Sequence, residues 1–316
     1  MRILVLLSRV PYPLEKGDKL RAFHQIKRLS EKHEIILCCL NDKKLHPDAI
    51  SQLKPFCKHL EIIQLNKFSI FLNLLLGLFR LRPLQVSYFH HKMAQKKFDR
   101  LIEIHLPKRI FCQLIRTTEY AKKYTFIIKT LDYMDALSKG AERRIENASF
   151  YMKPLLKVEA KRLAKYESEI FNHFEQKTII SAQDKKFIQH PNKEEITVIP
   201  NGVDTAFFRP MECEKKYNLV FTGNMSYPPN VESAIYIAKK IIPIIIKKFP
   251  EIKLLISGAN PAMVIKMLQS KNITVSGWVD DIRQSYAAAK IFIAPMRTGT
   301  GLQNKLLEAM AMKIPC

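Results

Sequence analysis

Near the carboxyl end of the chain, an apolar run at residues 291–294 leads into a loop holding Gly299 and Gly301. A helical pattern then opens near Gln303. Glycine lets a backbone come close to a ligand, and the free N–H groups of a helix start favour an anion. Glu308 falls about a turn and a half inside that helix, where a carboxylate can reach sugar hydroxyls beside a bound phosphate. Strand, glycine turn, helix start and acid in this order point to a nucleotide-sugar site. Arg297 and Lys305 bracket the turn. A departing diphosphate needs positive charge in the transition state, which these two can supply. The plainer reading of both is surface charge in a basic protein.

Asp132 and Asp135 follow an apolar strand at 126–131. Carboxylates at the C-terminal end of a strand in an α/β sheet often stand at the ligand crevice, so either could orient an acceptor or act as base. An N-cap is the competing role. Gly258 and Asn260 follow another strand, near a nucleotide base or diphosphate, or simply in a turn. His90 and His91 read as surface or helix residues.

These residues need a scaffold. Short β-rich runs alternate with helical patterns, the mark of βαβ units and a parallel sheet. Strands are expected at 2–7, 34–40, 60–65, 109–114, 126–131, 177–181 and 196–199, with helices at 20–32, 47–58 and 150–175. The pattern restarts with strands at 217–222, 252–257, 272–275 and 291–294 and helices at 230–248, 261–270, 280–289 and 303–312. This gives an α/β chain with a domain at 1–204, a linker at 205–216 and a second domain at 217–316. Asn201-Gly202 is a strong turn signal at the join. The second domain has four expected strands where a doubly wound domain has about six, so it is expected to be incomplete.

Four stretches carry a family resemblance. They are Arg9-Val10-Pro11-Tyr12-Pro13 with Gly17-Asp18-Lys19-Leu20-Arg21, then Pro200-Asn201-Gly202-Val203-Asp204. Phe221-Thr222-Gly223-Asn224-Met225 with Pro229-Asn230-Val231 follows, and last the 294–311 segment. Together they resemble the group 1 (family 4) retaining glycosyltransferases, and most of all the sugar transferases associated with PEP-CTERM/exosortase exopolysaccharide systems. The resemblance implies the GT-B fold, two Rossmann-like domains facing a cleft. It implies a donor site formed by Gly17, Gly223, Asn224, Gly258, Arg297, Gly299, Thr300, Gly301, Leu302, Gln303, Asn304, Lys305 and Glu308. Two departures stand out. The family's usual earlier glutamate is Thr300 here. The usual diphosphate arginine is Asn224, and Pro229-Asn230 stands where a lysine would be. The resemblance also implies that a closing C-terminal helix is missing.

The implied activity is transfer of a hexose from a UDP- or GDP-linked sugar to an acceptor hydroxyl, with retention and without a metal or other cofactor. The acceptor is expected to be a glycan or a lipid-linked sugar in exopolysaccharide or other cell-surface glycan synthesis. A nucleotide-sugar epimerase of the same fold, or a non-catalytic remnant, is the alternative.

Bulk properties set outer bounds. At 316 residues the chain is too long for one typical core. Its six cysteines form no C-x-x-C pair, which suits a reducing, cytoplasmic setting. The net charge of +23 fits attraction to anionic lipid or anionic substrates, or merely a lysine-rich surface. The basic residues are scattered without interleaved aromatics, which argues against nucleic acid. Residues 68–79 form the most apolar run, too short to span a bilayer. It reads first as a core helix and second as an in-plane membrane helix on the inner face of the cell membrane.

Overall fold

The computed structural model describes residues 1–79, 81–146, 148–296 and 303–316. Contacts divide the chain into two units, Met1–Pro200 and Asn201–Cys316. The first is built on β1 (Arg2–Leu7), β2 (Glu34–Asn41), β3 (His59–Gln64), β4 (Arg109–Gln113), β5 (Ile128–Asp132), β6 (Gln176–Ile179) and β7 (Thr197–Val198). Every pairing is parallel, in the order β3-β2-β1-β4-β5-β6-β7. Strands covered on both faces read as unbroken apolar runs, and β1 and β2 do so. Leu4, Leu6, Ile36 and Cys38 feed one core layer, and their neighbours Ile3, Val5, Ile35 and Leu37 feed the other.

The second unit carries β8 (Tyr217–Thr222), β9 (Leu254–Ser257), β10 (Ile273–Gly277) and β11 (Ala289–Phe292), parallel in the order β10-β9-β8-β11. Phe221 and Ile256 pack on one face, Val220 and Phe292 on the other. In each sheet the chain first winds outward one way, then crosses to the far side of its first strand. Such reversals, between β1 and β4 and between β8 and β11, are where open α/β sheets bind ligands.

Several expectations shift. The strand expected at 291–294 is β11, two residues earlier, because its buried positions are Ala289 and Phe292. The helix expected over 230–248 is broken by a π turn, Ile237–Ile241, between Pro228–Tyr236 and Ile242–Ile246. Pro243 lacks an N–H, and the π turn absorbs the lost helical bond. Residues 205–216 do not form a free linker. Phe208 packs against the second core, the Arg283 Nη1 donates to the Phe207 carbonyl at 3.0 Å, and Lys215 Nζ donates to the Ala289 carbonyl at 2.9 Å. The apolar run at 68–79 is a helix, Lys67–Phe79, yet only Ile70 and Gly77 are buried on it. It is not the core helix that its composition first suggests. No described helix is long and apolar enough to cross a membrane.

Candidate active site

In the second unit the switch point is formed by the turn after β8 and the helix Asn304–Ala311 that follows β11. Gly223 and Gly258 end β8 and β9 at φ +149° and +139°. A Cβ on Gly258 would lie 1.9 Å from the Gly223 carbonyl oxygen, so glycine at 258 is demanded by the protein's own backbone. A Cβ on Gly223 would meet the Asn230 amide at 2.6 Å. Asn224 closes the turn on itself, its Oδ1 accepting from the Ser226 N–H and hydroxyl at 3.0 and 2.8 Å.

Lys305 projects from the first turn of the helix. Its ammonium donates to Asn230 Oδ1 at 2.6 Å and stands 4.8 Å from the centre of the Phe221 ring. Asn230, itself buried, donates through Nδ2 to the Asn224 carbonyl at 3.0 Å. Burial lowers the Lys305 pKa to about 8, with the Glu308 carboxylate pulling the other way. Glu308 lies one turn on and is half-buried. Its pKa is raised by burial, against the opposing effects of Tyr286 and Lys305. The hydroxyl of fully buried Tyr286 donates to Glu308 Oε2 at 2.7 Å and lies 2.8 Å from the Thr222 hydroxyl. Tyrosine has one hydroxyl proton. With that proton directed to Glu308, Thr222 must donate to Tyr286. The carboxylate is thus fixed through Oε2, and no described residue occupies Oε1. Asn304 accepts through Oδ1 from Asn201 Nδ2 at 3.1 Å, tying the Asn201-Gly202 turn to the helix start. Gln303 is the residue before the helix. Arg297, Gly299, Thr300, Gly301 and Leu302 lie outside the described residues.

The first unit's switch point differs. Arg9 follows β1 and pairs with Asp18 at 3.0 Å. Arg116 follows β4 and donates from Nε and Nη2 to Gln85 Oε1 at 3.0 and 2.6 Å. Burial, then Arg9, lowers its pKa to about 10. Burial also lowers Lys16 and Lys19, and Arg9 adds to the effect on Lys16. Gly17 begins the Gly17–Ser30 helix in open space, with nothing within 4 Å of an added Cβ. No described atom therefore excludes a side chain at this position.

The two aspartates expected as catalytic part company. Asp132 is wholly buried and holds Arg21 Nε at 2.7 Å and Gln25 Nε2 at 3.0 Å. It caps no helix and reaches no open surface, so its role here is to anchor the Gly17–Ser30 helix to β5. Asp135 is solvent-exposed. Met134, at φ +65°, turns the chain between them. A non-glycine residue held there is strained by about 1–3 kcal/mol, which tends to occur where a side chain must be aimed. Crowding by protein atoms, then Asp184, raises the Asp135 pKa to about 6, with Arg116 opposing. Its exposure tempers this effect without changing its direction.

Tyr286, Thr222 and the anchoring role of Asn230 were not legible beforehand. A tyrosine on the buried face of a helix reads as core, and only its hydroxyl's partners reveal otherwise. His91 is buried and His90 half-buried, Arg82 donating to the latter at 3.0 Å. Asn260 adopts a left-handed turn conformation, φ +53°. Among the described residues no group of three or more His, Cys, Asp or Glu could hold a metal ion.

Residues 216–316 match the model of a family described as Glycosyl transferases group 1. Over 334 aligned positions the chain is 25% identical to an uncharacterized 44.6 kDa protein in the cps region of Klebsiella pneumoniae, covering 98% of this chain and 80% of that protein. Among solved structures it is similar to sucrose-phosphate synthase from Thermosynechococcus elongatus, with TM-score 0.66 and 12% identity over 100% of this chain and 80% of that one. It is also similar to the Anabaena protein HepE in complex with UDP, with TM-score 0.63 and 15% identity over 100% and 79%. A glycosyltransferase from Rickettsia africae matches with TM-score 0.60 and 13% identity over 99% and 77%. The fold is that of the GT-B glycosyltransferases, built from parallel α/β sheets.

Proposed function

We propose that the protein is a group 1 glycosyltransferase that moves a hexose from a UDP- or GDP-linked donor to an acceptor hydroxyl with retention. The observation that carries this reading is the pair Lys305 and Glu308. Both stand on one helix at a switch point, each fixed by a partner, with one carboxylate oxygen occupied by no described residue. Glu308 Oε1 would accept from ribose hydroxyls. Lys305 would meet the diphosphate. The UDP complex of HepE, a relative in fold, supports a nucleoside diphosphate as ligand, and the cps-region relative supports a cell-surface glycan as product.

In the reaction, the acceptor oxygen bonds to the anomeric carbon as that carbon's bond to the β-phosphate oxygen breaks. The nucleoside diphosphate leaves with the bonding electrons, and cations beside it lower the barrier. Lys305 is such a cation, and Arg297 is a second candidate. The acceptor proton must leave too. With retention the departing phosphate oxygen lies on the same face as the acceptor hydroxyl and can receive its proton, while exposed Asp135 would orient an acceptor on the first unit. Arg9, Lys16 and Arg116 would hold an anionic, lipid-linked acceptor near it. The protein would then work on the cytoplasmic face of a membrane.

Calorimetric titration with UDP and with GDP tests the donor site, and NMR of the product's anomeric signals tests retention. If neither nucleoside diphosphate binds, the reading is wrong.

A further inference from the structure

The Lys67–Phe79 helix presents two stripes. Ile70, Leu74 and Gly77, spaced i, i+4, i+7, face the first unit's core. Phe68, Phe71, Leu72, Leu75 and Phe79, spaced i, i+3, i+4, i+7, i+11, face outward, with Phe71 62% and Phe79 85% exposed. An outward stripe this apolar is unusual on a soluble helix. A second exposed run lies at the opening of the Lys153–Phe171 helix. Phe150 is 90% exposed, and Tyr151, Leu155 and Val158 follow at helical spacing. Arg162 extends that stripe. Its guanidinium donates to the carbonyls of Gly77 and Leu78 at 2.9 and 3.0 Å, so the second stripe meets the first helix at its end.

Within the sequence of both runs the charge has one sign. Residues 67–83 and 148–158 contain no aspartate or glutamate, and they carry Lys67, Arg80, Arg82, Lys153 and Lys157. A protein partner would be met by mixed charge at the rim. Aromatic and aliphatic side chains interspersed in sequence with cations match an anionic bilayer interface, the adjoining acids Glu119 and Glu159 being taken up by Arg82 and by the Leu84 and Gln85 N–H groups. The position fits as well. A Cβ on Gly77 would touch Ser87 at 3.0 Å and Leu84 at 3.2 Å, so the helix packs on the Leu84–Phe89 helix, whose Gln85 holds Arg116 at the β1/β4 switch point.

We infer that the Lys67–Phe79 helix and the 150–158 segment form one surface that seats the protein on an anionic lipid bilayer. This deepens the transfer reading by bringing a lipid-linked acceptor to the first unit, and rests on that reading only for the acceptor.

The test is co-sedimentation of the full chain with vesicles of phosphatidylcholine alone or mixed with phosphatidylglycerol. The chain should pellet with the mixed vesicles at low salt, less with phosphatidylcholine alone, and less as salt rises. Phe71→Glu combined with Phe150→Glu should lower partitioning at least about tenfold, since each places an anion in the apolar stripe. Phe249→Glu, at an exposed position of the second unit, should leave it unchanged. Far-UV circular dichroism and an unchanged thermal midpoint confirm that the double variant is folded, and UDP titration of the parent chain judges the donor site separately. No pelleting with mixed vesicles, or equal pelleting of the double variant, overturns the inference. So does a dimer that the double substitution splits while vesicles are ignored, which would make this the face between two copies.

Discussion

The two switch points handle charge in opposite ways. Between β8 and β11 the polar groups form a held series: Thr222 to Tyr286 to Glu308 along one line, Lys305 to Asn230 to Asn224 along the other. Between β1 and β4 the tightest ion pair, Arg21–Asp132, is sealed inside, while Arg9, Lys16, Arg116 and Asp135 stand toward solvent or half-buried. A held series suits a ligand of fixed shape, because its geometry is set before binding. A rim of charges suits a ligand that varies or arrives attached to something larger. The contrast teaches that polar residues at equivalent places in two similar sheets can be held in one series of hydrogen bonds or split between a sealed ion pair and an open rim.

The largest expected effect breaks the comparison at its backbone. Gly258→Ala should destabilise the second unit by about 5 kcal/mol or more, since backbone stands on both sides of the clash. Urea unfolding followed by Trp278, the chain's single tryptophan, measures it. A loss under about 1 kcal/mol would mean the turn can open freely.

Next, Asp132→Ala should cost about 4 kcal/mol of stability, because it leaves the Arg21 guanidinium buried without its partner. Arg21→Met with Asp132→Leu should recover much of that loss. If the double variant remains as unstable as the single one, Asp132 does more than pair with Arg21.

Lys305→Met should raise the transfer barrier by about 2–4 kcal/mol, read from kcat/KM with the donor identified. Glu308→Ala should weaken nucleoside diphosphate binding by about 1–3 kcal/mol in calorimetry. Unchanged values for both would move the donor site away from the β8/β11 switch point.

A smaller effect sharpens the electrostatics. Lys305 titrates at about 8 in the fold, below its ordinary 10.5. A diphosphate binds the charged form, so UDP affinity should hold below pH 8 and fall as pH rises through it. Stability of the free protein should move the other way. The unfolded chain binds more protons between pH 8 and 10.5, so this lysine's contribution rises across that window. Lys305→Met should flatten both profiles. A parent UDP profile flat to pH 10 would place the ammonium away from the diphosphate.

The smallest effect is Gly17→Ala, expected within about 1 kcal/mol of the parent in stability, because a Cβ there meets nothing. A large loss of transfer activity from so mild a change would identify Gly17 as a ligand contact. Full activity would assign it to chain geometry alone.

The architecture was legible because parallel strands buried on both faces are unbroken apolar runs. All eleven expected strands are present with shifted ends, although β7 is exposed and β6 is mostly polar. Lys67–Phe79 shows the limit of that logic: apolar composition gives a helix but says nothing about which side of it meets the core. The site was half legible. Glycine turns and a helix start mark a candidate phosphate site in one dimension. The partners that fix Lys305 and Glu308 come from helices tens of residues away, and spacing cannot reveal them. Asp132 and Asp135 look alike in sequence, and a single strained residue, Met134, sends one inward and one outward.

The bond between Asn230 and Lys305 has a consequence for how such chains diverge. The resemblance would put a cation near position 230; here an amide stands there and tethers a cation carried by another helix. The amide holds the ammonium through one 2.6 Å hydrogen bond. A longer cationic side chain at 230 would crowd and repel Lys305, while an apolar one would release it. Mutational drift should therefore treat the two positions as a single unit: related chains that regain a basic residue at 230 should have lost the one at 305, and chains that keep Lys305 should keep an acceptor opposite it.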